Sequence, residues 1–145
     1  MLYTKTEEEI ELLRLNNDLV SRTLAEVAKI IRPGVTTKEL DRRAEEFIRD
    51  NGAKPGFLGY NGYPATLCTS VNDSVVHGIP SSYALREGDI VSVDCGTYLH
   101  GFYGDSAYTF AVGNISPEVQ RLLNVTRECL VKGVEAAVDG LRVGD

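Results

Sequence analysis

Two aspartates have the residue type and spacing of a metal site. Asp94 lies in an alternation of apolar and polar residues over 90–98, and Asp105 lies in a second alternating stretch over 102–110. Between the two stretches stands Leu99-His100-Gly101, which is typical of a turn. The sequence therefore predicts a β-hairpin that carries both carboxylates.

The length of the hairpin loop decides how the two aspartates face each other. If the loop is Leu99-His100, or the four residues 98–101, Asp94 lies directly opposite Asp105 and both side chains leave the same face of the sheet. Directly opposed residues have Cβ atoms about 5 Å apart. Two carboxylates at that separation repel by roughly 3 to 4 kcal/mol at an effective dielectric near 20. A shared proton, or one or two bound cations, would offset this repulsion.

The alternation favours the cations. Small residues share the aspartate face and leave room for an ion, whereas the opposite face is apolar. The opposite face is predicted to carry Val91, Val93, Cys95, Phe102, Tyr108 and Phe110. The alternative is a solvated hairpin face on which the aspartates only maintain solubility.

A histidine follows another predicted strand. The pair Val75-Val76 precedes His77, and Gly78-Ile79-Pro80 follows it. We predict a strand over 74–77 with the imidazole at its end, where it could polarise or hold a carbonyl group near the aspartates. The alternative is a structural histidine bonded to a backbone carbonyl.

Helices are predicted to flank this region. Thr6 with Glu9, and Thr36 with Glu39, are the capping boxes of two helices. The first helix should end near Arg32, because proline and glycine follow it. Residues 53–112 are rich in glycine, tyrosine and β-branched residues, and we predict strands over 66–71, 74–77, 90–98 and 102–112. The predicted fold class is α+β, an αα unit followed by antiparallel hairpins.

A third helix is predicted to begin at Ser116-Pro117, to run to about Val138 and to be terminated by Gly140. The residues after it echo an earlier segment, since 138–143 resembles 31–36. A second αα unit would then start here, with Asp145 as the capping residue of its helix. On this interpretation, residues 1–145 are the N-terminal part of one domain, which stops inside its second repeat.

Composition excludes several classes of protein. A net charge of -6 disfavours nonspecific binding to nucleic acid or to an anionic membrane. No apolar run approaches the roughly 18 residues of a membrane span, and the N-terminus lacks a signal-peptide pattern. Three cysteines without metal-finger spacing indicate reduced thiols. The predicted localisation is cytoplasmic.

Several ordered motifs together resemble the type I methionine aminopeptidases. The motifs are Leu58–Pro64, Cys68–Asn72, His77–Pro80, Gly88–Val91, Val93-Asp94 and Gly104–Ser106. The resemblance implies the pita-bread fold, in which two halves, each an αα unit with hairpins, are related by a pseudo-twofold axis. This chain would be the first half of one catalytic domain.

The resemblance also implies a site. Asp94 and Asp105 would be two of five ligands to a pair of divalent cations of the Co, Mn, Fe, Zn or Ni class, which supply a hydroxide that attacks the carbonyl of an N-terminal methionine. His77 would contact the substrate and stabilise the transition state. The methionine side chain would bind to Tyr60, Tyr63, Cys68 and, in a position where some members of the family carry cysteine, Phe57. Ordinary core packing is the alternative role for the tyrosines.

The other three ligands in the family, one histidine and two glutamates, belong to the second half of the fold. With two carboxylates alone, metal affinity should be weak and the 145-residue chain inactive. The expected partners of the whole protein are peptide or nascent-chain N-termini, and ribosome association is a further candidate.

Two other functions stay open at this point. A proline-specific aminopeptidase or prolidase shares the fold, although such enzymes usually carry a domain ahead of the catalytic one. A noncatalytic binding module would keep the fold without the chemistry. An exposed apolar face, where a second half would dock, would also allow the isolated chain to self-associate.

Overall fold

The computed structural model describes residues 3–144 of the chain. These residues form two compact units, one that ends at Asn114 and one that begins at Ile115. The first contains all of the predicted site residues. Its elements are α1 (Glu7–Ala28), α2 (Thr37–Asp50), β1 (Lys54–Pro55), a 3-10 turn (Tyr60–Gly62), β2 (Leu67–Val71), β3 (Ile90–Leu99) and β4 (Phe102–Ala111).

Both predicted capping boxes are confirmed. In the first, the Glu9 amide donates to the Thr6 hydroxyl, and the Thr6 amide donates to the Glu9 carboxylate at 2.9 Å. Helix α1 nevertheless ends at Ala28, before the predicted end at Arg32. The chain tightens there, because the amide of Ile30 donates to the carbonyl of Val27, three residues back.

A four-stranded antiparallel sheet supports the site. Strand β3 is central: β4 pairs with one of its edges, and β2 and the short β1 pair with the other. Sequence patterns did not predict β1, which is only two residues long. The mixture of helices and antiparallel strands confirms the α+β class.

The predicted hairpin is present, but its predicted register is wrong. Leu99 pairs with Phe102, so the loop is His100-Gly101. Both loop residues have positive φ, 53° and 87°, as a type I′ turn requires. A histidine followed by glycine adopts these angles with less strain than Leu99-His100 would.

The predicted strand over 74–77 is also wrong. Asn72 and His77 have φ values of 53° and 58°, which are left-handed and break an extended chain at both ends of the segment. Val75 and Val76 are 85% and 64% exposed, so their β-branched side chains have no sheet neighbour to pack against. The segment is a loop after β2, and His77 does not stand at a strand end.

The core lies between the two helices and one face of the sheet. Val91, Val93 and Cys95 on β3 are fully buried on that face, which confirms the predicted alternation. Helix α1 contacts both β3 and β4. The helical side chains buried in the core are Leu19, Val20, Leu24, Val27, Leu40, Ala44 and Ile48.

A buried asparagine fixes α1 to the hairpin. Asn16 is fully buried, and its side-chain amide donates to the Phe102 carbonyl at 2.6 Å while its oxygen accepts from the Thr97 hydroxyl. Beside it, a Cβ added to Gly104 would lie 3.0 Å from the Asn16 backbone. The glycine in β4 therefore allows the close approach of helix and strand.

We expect Asn16→Ala to lower the free energy of unfolding by about 2 to 4 kcal/mol, because it leaves buried polar atoms of Thr97 and Phe102 without partners. Urea unfolding would measure this change. The neighbouring exposed Asn17 provides the matched control, and Asn17→Ala should change the same quantity by less than about 1 kcal/mol. Equal effects of the two variants would contradict the structural role of Asn16.

The second unit contains α3 (Pro117–Ala136), and the predicted cap is confirmed, since the Val119 amide donates to the Ser116 hydroxyl. Gly140 follows the helix with φ 92°, the same value that Gly34 has in the echoed segment. The predicted capping residue Asp145 lies outside the described residues. Across residues 3–144, no helix is both long and apolar enough to cross a membrane.

Candidate functional site

The two aspartates lie on the same face of the hairpin in diagonal positions. Asp94 is opposite Ala107, and Asp105 is opposite Gly96. The register differs from the predicted one by an even number of residues. The two aspartates therefore lie on the same face, as predicted, but they are not directly opposite each other. Diagonal neighbours are about 7 to 8 Å apart, and their side chains are still within reach of each other.

Asp94 is a partly buried carboxylate that lies beside a second negative charge. Burial raises its pKa, the negative charge of Asp105 raises it further, and His77 acts in the opposite direction. Its Oδ1 atom is buried and has no hydrogen-bond partner among the described residues. A buried carboxylate oxygen without a partner costs free energy unless a cation or a proton occupies the space beside it.

His77 lies in the loop after β2, with an exposed side chain. The next residue, Gly78, is hydrogen-bonded to Thr69 and Ser70 of β2, and β2 pairs with the strand that carries Asp94, so the loop lies near the aspartate face. The structure thus brings His77 and both aspartates to one region, as the sequence predicted, although the histidine reaches it from a loop.

Cys68 and Tyr63 adjoin the aspartates. Cys68 pairs directly with Asp94 across β2 and β3. Burial raises the pKa of its thiol, which keeps it neutral and suited to an apolar wall. The pKa of Tyr63 is raised, mainly by burial and in second place by its interaction with the Cys68 side chain. That hydroxyl donates to backbone carbonyls, at 2.9 Å to Leu67 and 3.3 Å to Gly78.

Phe57 packs on the backbone beside Asp105. A Cβ added to Gly96 would lie 2.4 Å from the Phe57 ring, so only glycine leaves room for the ring over this part of β3. The preceding residue, Gly56, donates its amide to the Gly96 carbonyl at 2.8 Å and holds the ring in place. Tyr60 differs from these residues, because its side chain is 69% exposed at the surface of the 3-10 turn.

Sequence reasoning missed the residues that hold the site in shape. Asp41 on α2 accepts hydrogen bonds from the amides of Thr66 and Leu67 at 2.9 and 2.8 Å, directly before Cys68. Ser70 accepts from the Gly78 amide beside His77. Glycines inside strands signal close approach, and Gly96 and Gly104 could have been identified in this way. The roles of Asp41 and Ser70 depend on distant pairings that no local pattern shows.

Asp89 anchors the loop that carries His77. Its carboxylate accepts from the Asn72 side chain, the Tyr83 hydroxyl and the Arg86 amide, each at 2.9 Å. Burial raises the pKa of Asp89, but these hydrogen bonds together outweigh burial and hold the pKa below its ordinary value. The ionised carboxylate therefore stabilises the folded state.

The stabilisation by Asp89 should depend on pH. Because its folded pKa is depressed, the contribution is fully present above the unfolded value of about 3.9 and is lost as the pH falls through the folded pKa. We expect Asp89→Asn to be less stable than the wild type at pH 7, and this difference to shrink below about pH 4. Urea unfolding at several pH values would measure it, with Asp73→Asn at an exposed position of the same loop as control. A difference that stays constant from pH 7 to pH 3 would contradict the assignment.

Comparison with known proteins identifies the family. Residues 11–145 match the metallopeptidase family M24. The chain belongs to this family. As an M24 chain it is expected to need divalent metal.

Named relatives show the same relationship. The methionine aminopeptidase of Clostridium perfringens is 50% identical over 145 residues, covering 100% of this chain and 58% of the relative. The crystal structure of methionine aminopeptidase from Thermotoga maritima superimposes with a TM-score of 0.96 at 41% identity and covers 100% of this chain and 59% of that one. The likeness to Xaa-Pro dipeptidase from Bacillus anthracis is weaker, with a TM-score of 0.78 and 26% identity over 95% of this chain and 36% of that one. These M24 neighbours confirm the predicted pita-bread fold, of which this chain forms half.

The donor set of this M24 chain fits part of a metal site. Asp94 and Asp105 share a face, and the Oδ1 atom of Asp94 lacks a partner within the described residues. Carboxylate oxygens are suitable ligands for divalent cations. Among residues 3–144, however, no group of three or more His, Cys, Asp or Glu side chains is arranged to hold a metal ion.

Proposed function

We propose that the protein containing this chain is a methionine aminopeptidase, which removes the N-terminal methionine from peptides and nascent proteins. The observation that carries the proposal is the aspartate face, where Asp94 has a buried oxygen without a partner next to Asp105 and His77. The identity to named methionine aminopeptidases supports the same function.

We assign two divalent cations to this face, with Asp94 and Asp105 as two of their ligands. The remaining ligands would come from the part of the fold that these residues do not include. The metals, when bound, supply an activated water and polarise the scissile carbonyl. Any of several divalent ions suits oxygen ligands, so the metal in the cell depends on availability.

The chain's own residues would bind and orient the substrate. We assign to His77 the donation of a hydrogen bond to the substrate carbonyl and the stabilisation of charge that develops on it. Cys68, Tyr63 and Phe57 form a wall of sulfur and aromatic surface beside the aspartates, which suits a polarisable thioether. We also assign Tyr60, which is exposed, to this substrate-binding surface.

A substrate panel tests the proposal. The full-length gene product would be loaded with Co²⁺ or Mn²⁺ and incubated with Met-Ala-Ser, Leu-Ala-Ser and Ala-Pro-Ser. We expect metal-dependent release of methionine from the first peptide and little release from the others. Preferred cleavage before proline would support the prolidase alternative, and no cleavage of any peptide would support the noncatalytic one.

The proposed partners follow from the substrate. Nascent-chain N-termini would be met in the cytoplasm and near the ribosome, and both cytoplasmic localisation and ribosome association stay predictions. Self-association of the isolated 145-residue chain is likewise a prediction, which sedimentation at several protein concentrations would test.

A further inference from the structure

The loop carrying His77 is clamped to β2 by its next residue, Gly78. The Thr69 amide donates to the Gly78 carbonyl at 2.7 Å, and the Gly78 amide donates to the Ser70 hydroxyl at 3.1 Å. Both polar groups of this one residue are therefore bound to adjacent positions of the strand. The position of His77 relative to the aspartates depends on this clamp, because β2 pairs directly with the strand that carries Asp94.

Close packing shows that the clamp is tight. A Cβ added to Gly78 would lie 2.2 Å from the Thr69 carbonyl oxygen and 2.8 Å from its carbon. These are backbone atoms, so they cannot move aside as a flexible side chain can. The loop thus lies against the strand with no space between them at the residue after His77.

Backbone strain makes His77 sensitive to this clamp. Its φ of 58° is left-handed, a conformation that costs a non-glycine residue free energy and persists only where surrounding contacts fix it. The side chain itself is exposed and receives no support from burial. The hydrogen bonds of Gly78 act directly beside this strained backbone and contribute to the restraint, together with the Asp89 contacts at the start of the loop.

We propose that Ser70 is a positioning residue for His77, whose hydroxyl fixes the Gly78 amide and thereby holds the imidazole over the aspartate face. This inference rests on the proposed function, in which His77 contacts the substrate. Ser70 is 4% exposed and lies in β2, two residues beyond Cys68 and on the same strand face. It contributes no atom to the reaction and acts only through the loop.

The neighbouring residue supplies a matched control. Thr69 is 5% exposed, and its hydroxyl has no hydrogen-bond partner among the described residues. Thr69→Val removes a hydroxyl of equal burial and keeps the backbone amide that bonds Gly78. Ser70→Ala removes the acceptor, Ser70→Cys weakens it at similar volume, and Ser70→Thr retains it.

Two readouts on the full-length gene product test the proposal, after circular dichroism has shown which variants fold. With Met-Ala-Ser as substrate, Ser70→Ala should lower kcat by about 10-fold with KM within about twofold, since misplacement of a catalytic group slows the chemical step. Ser70→Thr should restore most of this loss, and Thr69→Val should retain wild-type kcat. If Ser70→Ala does not fold, Ser70→Cys should show the same direction with a smaller loss.

The second readout does not depend on activity. Hydrogen exchange followed by NMR should show the Gly78 amide exchanging at least about 10-fold faster in Ser70→Ala than in Thr69→Val. Unchanged exchange at Gly78, or a kcat for Ser70→Ala equal to that of Thr69→Val, would overturn the proposal. A wild-type protein that cleaves no peptide would defeat the proposed function, while faster exchange at Gly78 would still support the clamp.

Discussion

Asp94→Asn is expected to lower metal-dependent hydrolysis of Met-Ala-Ser by about 1,000-fold or more, and at the same time to stabilise the metal-free protein. The loss follows from removing one of the two carboxylates that we propose as metal ligands on the aspartate face. Calorimetric titration with Mn²⁺ should show weakened binding in parallel. Asp105→Asn should have an effect of the same order.

The gain in stability has a separate physical cause. Burial and Asp105 raise the pKa of Asp94, so its ionised form destabilises the fold at neutral pH when no cation is present. Asparagine removes that charge, and the urea midpoint at pH 7 should rise. This advantage should diminish as the pH falls through the raised pKa and the wild-type carboxyl becomes neutral. Normal turnover of Asp94→Asn at limiting metal would falsify the ligand assignment.

His77→Asn should lower kcat by about 100-fold and leave KM nearly unchanged, because the imidazole is assigned to the transition state more than to substrate binding. Asparagine is preferable to alanine in this position, since it tolerates the left-handed φ of 58°. His77→Ala should show at least the same loss. Steady-state kinetics with Met-Ala-Ser would measure both variants.

The chain offers a close control for this experiment. His100 is its second histidine, is exposed at the hairpin turn and has a φ of 53°, so His100→Asn makes the same chemical change in a similar backbone conformation. We expect His100→Asn to keep wild-type kcat. Equal rates for His77→Asn and the wild type would remove His77 from the mechanism.

Local sequence patterns predicted the helices and strands well where interactions between residues close in sequence determine them. Capping boxes at Thr6 and Thr36 depend on residues three positions apart, and both helices begin as expected. The alternation over 90–110 indicated the correct faces of the hairpin, because side-chain direction in a strand has a period of two. Combined with a turn that has an even number of residues, that period places Asp94 and Asp105 on one face of the sheet.

The failures occurred where tertiary contacts decide. Val75-Val76 suggested a strand, but contacts between residues that are separate in sequence fix the loop after β2. Gly78 packs against the backbone of Thr69, and the Asn72 side chain donates a hydrogen bond to Asp89. The same contacts give His77 its position. Composition and periodicity contain no information about such pairings, so neither Ser70 nor Asp89 could be identified as a support of the site.

The two-residue turn His100-Gly101 determines the separation of Asp94 and Asp105, although it contacts neither residue. Pairing propagates from Leu99 and Phe102 along the ladder, so the turn sets which residue stands opposite Asp94. If one residue were added to the turn without a compensating bulge, the side chains of β4 would exchange faces, and Asp105 would lie on the face opposite to Asp94. Loop length here is therefore subject to the same functional constraint as the carboxylates themselves, and a tag or insertion placed in this solvent-exposed turn would not be innocuous.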